Sequence, residues 1–133
     1  MILTDGNETP LAVAIAAADE HESRHIEPLL DAAVVALPDP TRLVYDKAAD
    51  SDRLRERLRR RGVDLICPHR SNRKRPKTQD GRKLRRYRHR WKIERSISWL
   101  HNYRRLVTRY EHRADLFLGF TKLACMFTIL QRF

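Results

Sequence analysis

Apolar positions along the chain change period several times, and each change marks an element. Met1 to Thr4 reads as the end of a strand, Asp5-Gly6-Asn7 has turn chemistry, and Pro10 to Ala18 is a small apolar run containing Val13 and Ile15. Together they predict a hairpin. From residue 22 to 36 the spacing becomes helical, with Ile26, Leu29, Leu30, Ala33 and then Leu37 on one face, and Pro38 and Pro40 ending the run. Thr41 to Tyr45 is a short apolar strand with Asp46 at its carboxyl end. Asp50 or Ser51 caps the next helix, which turns Leu54 and Leu58 inward and stops at Gly62. Val63 to Cys67 is a second buried strand, closed by Pro68.

Period then disappears. His69 to Arg86 holds 10 basic groups, His69 included, against one acid, and predicts a mobile basic loop. Tyr87 to Tyr110 reads as a single amphipathic helix. At roughly 100° per residue, Ile93, Ile97, Leu100 and Val107 share a face that Trp99, Tyr103, Leu106 and Tyr110 extend. Beside it Tyr87, Arg90, Glu94 and His101 fall within roughly 60°. Glu94 is the only carboxylate of this stretch, and the simplest partner for it is Arg90, one turn away. Asp115 can cap a final apolar helix, Leu116 to Leu130, expected to be buried.

Charge divides the chain. Residues 1 to 52 carry 3 basic and 11 acidic groups, and residues 53 to 133 carry 25 and 6. Such a gradient makes a polyanion the natural partner of the second half, with phosphate contacts that position nucleic acid without reading its sequence. The candidates are Arg70, Arg73, Lys74, Arg75, Lys77, Arg82, Lys83, Arg85 and Arg86 in the loop, and Arg95, Arg105 and Arg109 beyond it. The longest weakly charged run contains Lys122 and falls short of the roughly 20 apolar residues that span a bilayer, so no membrane partner is expected. Neither a charged leader nor close cysteine pairs are seen; Cys67 and Cys125 read as reduced packing residues of a cytoplasmic protein.

Two acids have competing meanings. His21-Glu22-Ser23-Arg24-His25 formally matches a zinc-hydrolase pattern, but it lacks a third ligand and reads as a solvated helix start. Asp46 ends a strand, where chemistry collects in sheets followed by helices. Asp50 and Asp52 are expected only to cap and to compensate the helix dipole.

The spacing Tyr87, Arg90, Glu94, followed by WLHNYRRLVTRYEHRAD, resembles the C-terminal signature of DDE transposases in the insertion sequence 5 branch of the insertion sequence 4 group. LTDGNETPLAVAIAAADEHES resembles that family's strand, turn and strand; VYDKAADSDRLRERLRRRGV its second acidic segment; FLGFTKLACMFTIL its closing helix. The resemblance implies an α/β, ribonuclease H-like mixed sheet flanked by helices. It also implies three carboxylates holding two magnesium ions, of which Asp46 and Glu94 are the second and third, and metal-dependent cutting and joining of DNA. Tyr87, Arg90 and His101 take supporting roles, His101 standing where the wider group often has lysine. Ala49 replaces a usual aromatic, and Asp19 and Glu22 replace an amide and an aspartate.

In the family the first acid lies on a central strand ahead of the segment at which this chain opens, and Asp5 matches a turn position instead. The expected product is therefore a partial catalytic domain: residues 1–68 forming sheet, 69–86 the basic loop, 87–133 the helices with the glutamate. It is expected to be inactive alone and associated with the nucleoid, and its partners are element ends, target DNA, and either an upstream-encoded part or intact transposase subunits. The alternative function is a DNA-binding or subunit-poisoning regulator.

Overall fold

The computed structural model describes residues 1–132; Phe133, the last residue of the expected helical segment, lies outside the described residues. Strand β1 (Ile2–Thr4) pairs antiparallel with β2 (Pro10–Val13), Ile2 opposite Val13 and Leu3 opposite Ala12. Asp5 builds the turn: its Oδ1 accepts from the backbone N–H of Asn7 and of Thr9, each at 2.8 Å, the local bonding that places aspartate in turns.

Strand β3 (Thr41–Val44) runs parallel to β4 (Val63–Ile66), in register from Thr41 with Val63 to Val44 with Ile66. The crossover between them is α2 (Asp52–Arg60). Ser51 caps it by accepting from Leu54 N–H, and Leu54 and Leu58 are 2% and 0% exposed against the strands. Gly62, at φ +72°, ends the crossover in the left-handed region that glycine adopts without strain.

Strands and helices thus make a mixed α/β fold, in two separate two-stranded sheets, one antiparallel and one parallel. β1 and β3 each have a single strand partner among the described residues. Alternation along β1 joins two cores. Met1 and Leu3 pack against Ile26, Leu30, Ala49, Leu54, Leu58, Val63, Leu65 and Cys67. Ile2 points the other way, to Leu100, Ala124 and Cys125, as the two-residue period of a strand dictates.

Three expected helices differ. The run from residue 22 is a 3₁₀ turn (Glu22–Arg24) and a short α1 (Ile26–Asp31). It stops early because Val34 N–H donates to Leu11 of β2 at 3.0 Å; a pairing from elsewhere in the chain overrides the local period, and Val34 and Val35 are left exposed. Tyr87 to Tyr110 is not one helix. After α3 (Gly81–Leu84) comes a 3₁₀ segment (Arg85–Arg90), then α4 (Trp91–Leu100), a turn, and α5 (Arg104–Val107). Asn102 and Tyr103 N–H groups bond three residues back, to Trp99 and Leu100, tightening α4 to its end, and Tyr103 is extended. The predicted apolar face is therefore split: Leu100 is buried, whereas Ile97, Val107 and Tyr110 are 39%, 61% and 63% exposed.

The closing helix α6 (Ala114–Leu130) packs on α4, α5 and β2, but it is not buried all round. Its inner face is Thr121, Ala124, Cys125 and Thr128; Leu116, Leu123, Met126, Phe127 and Leu130 are each about half exposed or more. The two threonines reach the inside without orphaned hydroxyls because each donates to the carbonyl four residues back, at 2.8 Å. Arg113, not Asp115, occupies the cap position, and it pairs with Asp115.

Candidate active site and basic surface

Asp46 stands two residues past the end of β3. Its Oδ1 accepts from Ala48 N–H at 2.8 Å and so starts the 3₁₀ turn Lys47–Ala49; its other oxygen takes no hydrogen bond among the described residues. Tyr45 beside it donates to Glu22 at 3.1 Å. Burial, then the negative charge of Glu22, pushes the Tyr45 phenol far above its usual range, so this hydroxyl stays protonated.

Glu94 projects from α4 with its side chain 57% exposed, and Arg90 donates to its Oε1 at 2.8 Å. The sequence-expected pair is present. Tyr87 and His101 do not join it: Tyr87 lies in the 3₁₀ segment, which winds faster than an α-helix, and His101 lies past the last turn of α4. Among the described residues Asp46 makes no hydrogen bond or ion pair with Tyr87, Arg90, Glu94 or His101. The 85–90 segment does lie against β3, which brings the approach to α4 alongside the strand that leads to Asp46.

Two carboxylates, each with a free oxygen, are the donor chemistry of a hard divalent cation. They do not complete a ligand set: among the described residues no three His, Cys, Asp or Glu side chains come together in a way that could hold a metal ion. The zinc pattern fares no better. His21 Nδ1 is taken by Ser23, whose Oγ is 2.8 Å away, and His25 Nε2 lies 2.6 Å from Glu20.

The most heavily engaged acid is Asp50, expected only to cap. Its side chain is 2% exposed and meets Arg55 at 3.0 Å, His69 Nδ1 at 2.9 Å and Arg73 at 3.3 Å, and it accepts from Arg70 N–H at 2.8 Å. Burial alone would raise its pKa; the Arg70 N–H, His69 and the charge of Arg55 outweigh that and hold it low. Asp52 adds a second anchor, taking Arg73 Nη2 on both oxygens at 2.8 and 2.9 Å. Gln79 closes the far end by donating to Leu65 O and accepting from Cys67 N–H.

The first half of the expected mobile loop is therefore a clasp fastened beside the end of β4. The density of arginine at positions 70–75 is matched by acids contributed from the preceding turn, which lie some 20 positions away in sequence. That fastening divides the candidate phosphate contacts. Arg70 donates to Lys47 and Ala48 carbonyls, Arg73 is committed to Asp50 and Asp52, Arg82 pairs with Asp80 and Lys83 with Asp64. Arg105 pairs with Glu111 and lies 5.1 Å over Phe120, and Arg109 lies 5.3 Å over Phe117. Arg75 pairs with Asp52 at 3.5 Å, and Lys74, Lys77, Arg85 and Arg86 remain exposed without an ion pair among the described residues.

Arg95 is also committed, to an acid that the hydrophobic pattern does not mark. Glu8, 3% exposed and at φ +68°, accepts from Arg95 Nε at 2.7 Å and from its Nη2. That hydrogen bonding holds the Glu8 carboxyl below its usual range. No element period singles out a turn residue, and the one hint that a carboxylate must come from elsewhere is that Glu94, the sole acid of α4, is already taken by Arg90 and leaves Arg95 without a partner on its own helix.

One protein family, described as the transposase DDE domain, matches residues 1–129. A protein from Burkholderia cepacia named as a transposase for insertion sequence element IS402 is 37% identical over 131 residues, covering 93% of this chain and 58% of that relative. No solved structure matches the chain significantly.

Proposed function

The chain belongs to the transposase DDE domain family, and we propose that it is the C-terminal part of a transposase catalytic domain of the insertion sequence 5 branch, with Asp46 and Glu94 as two of its three metal-holding acids. The observation that carries this reading is the placement of the two carboxylates. One stands at the end of a parallel strand, the other on an exposed helix surface beside Arg90, and each has an oxygen to spare.

In this reading the ribonuclease H-like sheet is completed by a strand outside this chain, which carries the first acid and fills the space between β1 and β3. The family activity is metal-dependent DNA cleavage and strand transfer, in which two magnesium ions would supply the activated nucleophile and stabilise the leaving oxygen. The chain spans 58% of the length of its curated relative, and by itself it lacks the third ligand and is inactive. DNA ends and target DNA are its substrates, in the cytoplasm; no helix of the described residues is long and apolar enough to cross a membrane.

Incubation of the purified chain with element-end DNA and magnesium or manganese is the test. No nicking is expected, and adding a polypeptide equivalent to the uncovered part of the relative restores it in a manner abolished by Asp46→Asn and by Glu94→Gln. Robust nicking by the chain alone, lost on Asp46→Asn, would defeat the incompleteness.

A second reading is favoured by the exposed apolar face of α6 and the unpaired strand edges: a regulator that binds DNA or joins intact transposase subunits without cutting. It predicts salt-sensitive DNA binding that survives Glu94→Gln. Absence of DNA affinity at low salt eliminates it.

A further inference from the structure

Asp46 is held on one oxygen and free on the other. Its Oδ1 accepts from Ala48 N–H at 2.8 Å, and its main-chain carbonyl accepts from Ala49 N–H at 3.2 Å. Both donors belong to the 3₁₀ turn Lys47–Ala49, so the direction of the free oxygen is only as fixed as that turn. A single 3₁₀ turn has poor hydrogen-bond geometry and does not sustain itself. Its own side chains give it little: Lys47 is exposed, Ala48 is short, and only Ala49 is anchored in the core.

The missing support comes from the start of the basic clasp. Arg70 Nη2 donates to Ala48 O at 2.8 Å and Arg70 Nε to Lys47 O at 3.2 Å, while the Arg70 backbone N–H donates to Asp50 Oδ2 at 2.8 Å. One edge of the guanidinium thus spans two successive carbonyls of the turn, and the main chain of the same residue is tied to the acid that follows it. The base of this grip is buried, since the Asp50 side chain is 2% exposed and also meets His69 at 2.9 Å. Charge alone does not require such an arrangement. A lysine ammonium is a point charge that serves one carbonyl well, whereas the rigid fork of arginine holds two at a set spacing.

We infer that Arg70 is a positioning residue for Asp46: it fixes the 47–49 turn and, through the Ala48 and Ala49 N–H groups, the direction of the oxygen that Asp46 presents. The inference rests on Asp46 being a metal-holding acid, as proposed above, and gives the clasp a task distinct from phosphate contact. The loop that carries Lys74 and Lys77 also sets the geometry of that carboxylate. A phosphate contact needs only the charge at position 70; positioning needs the fork.

Arg70→Lys keeps the charge and removes the two-point grip. In the full chain, amide hydrogen exchange is read at Ala48 and Ala49, with Leu58 of α2, fully buried, as the reference. Exchange at the two alanines is expected to be at least about tenfold faster in the variant, and unchanged at Leu58. Unchanged exchange at Ala48 and Ala49 overturns the positioning role whatever the chain does to DNA. Equal acceleration at Leu58 overturns it too, by reducing Arg70 to a general support of the fold. A second arm measures nicking of element-end DNA by the chain supplied with a polypeptide equivalent to the uncovered part of its relative. There Arg70→Lys is expected to lower kcat by about 100-fold and leave KM for DNA unchanged. A raised KM with native kcat overturns positioning in favour of a phosphate contact. Absence of nicking by the native chain so supplied defeats the DNA-cutting reading itself and leaves Arg70, on the exchange result, a support of the turn alone.

Discussion

His69 Nδ1 lies 2.9 Å from Oδ1 of Asp50 while His69 Nε2 accepts from Thr78 N–H at 3.1 Å, so one ring ties the start of the basic clasp both to its anchor and to its own far side. Asp50 is the member that cannot be spared. Replacing it by asparagine leaves the nearly buried Arg55 without its counter-charge and Arg73 with Asp52 alone, a loss of about 3 kcal/mol of stability. Chemical denaturation measures that loss. Trypsin should also cut faster at Lys74 and Lys77 in the variant, whereas Asp31→Asn, at an exposed pair with Arg61, should change little.

Acid should open the same clasp. The carboxyls of Asp50, Asp52 and Glu8 all have folded pKa values below their ordinary ones. Their stabilising contribution is thus fully present above the unfolded values of about 4, and it is lost as pH falls through the folded ones, where folding must give up bound charge pairs. Stability followed by denaturant titration should be flat from neutrality to about pH 5 and then fall. In Asp50→Asn the fall should be shallower; an unchanged slope would mean that other groups drive it.

The Glu8–Arg95 pair makes a separate prediction, because the residues are 87 positions apart and hold α4 to the β1–β2 turn. Glu8→Gln keeps the shape and removes the charge, and should lower the thermal midpoint by about 5 °C. Since Arg95 lies between the indoles of Trp91 and Trp99, the tryptophan emission spectrum should shift in the same variant. A stable protein with unchanged emission would show that the aromatic stack holds Arg95 without Glu8.

How far these features could be read in the sequence depends on how local their causes are. The hairpin turn at Asp5, the α2 crossover with Leu54 and Leu58 inward and the stop at Gly62 all follow from short-range patterns and stand as read, and the strand expected over Thr41–Tyr45 is present one residue shorter, as Thr41–Val44. So does the Arg90–Glu94 pair, fixed by one helical turn. What escaped was set at a distance. Val34 bonds to Leu11 and ends α1; Asp50 gathers Arg55, His69 and Arg73; Glu8 takes Arg95. Periodicity also says which residues share a face of α6 but not what covers it, so a helix rich in leucine and phenylalanine reads as buried all round while Thr121 and Thr128 lie inside with Ala124 and Cys125.

Gly62 tests the crossover directly. At φ +72°, a Cβ there would stand 2.6 Å from Asp39 Oδ1, so Gly62→Ala combines left-handed backbone strain with displacement of a side-chain end that can rotate away. A loss of about 1–2 kcal/mol is expected. Combining it with Asp39→Ala should recover the contact part and leave the backbone part. Full recovery would mean that backbone strain at residue 62 is negligible.

The two faces of α6 should respond oppositely to substitution. Leu123 and Met126 are 48% and 56% exposed, while Ala124 between them is 3% exposed in the core with Leu100 and Cys125. Leu123→Ser combined with Met126→Ser should therefore change stability by no more than about 0.5 kcal/mol, because little apolar contact is lost, and should reduce concentration-dependent association seen by sedimentation, because an exposed apolar stripe favours it. Ala124→Leu adds volume where β1 and α4 already fill the space and should cost about 1–3 kcal/mol. If the outward pair proved as costly as the inward one, α6 would have to be covered in solution, and sedimentation of the unmodified chain would show the assembly that covers it.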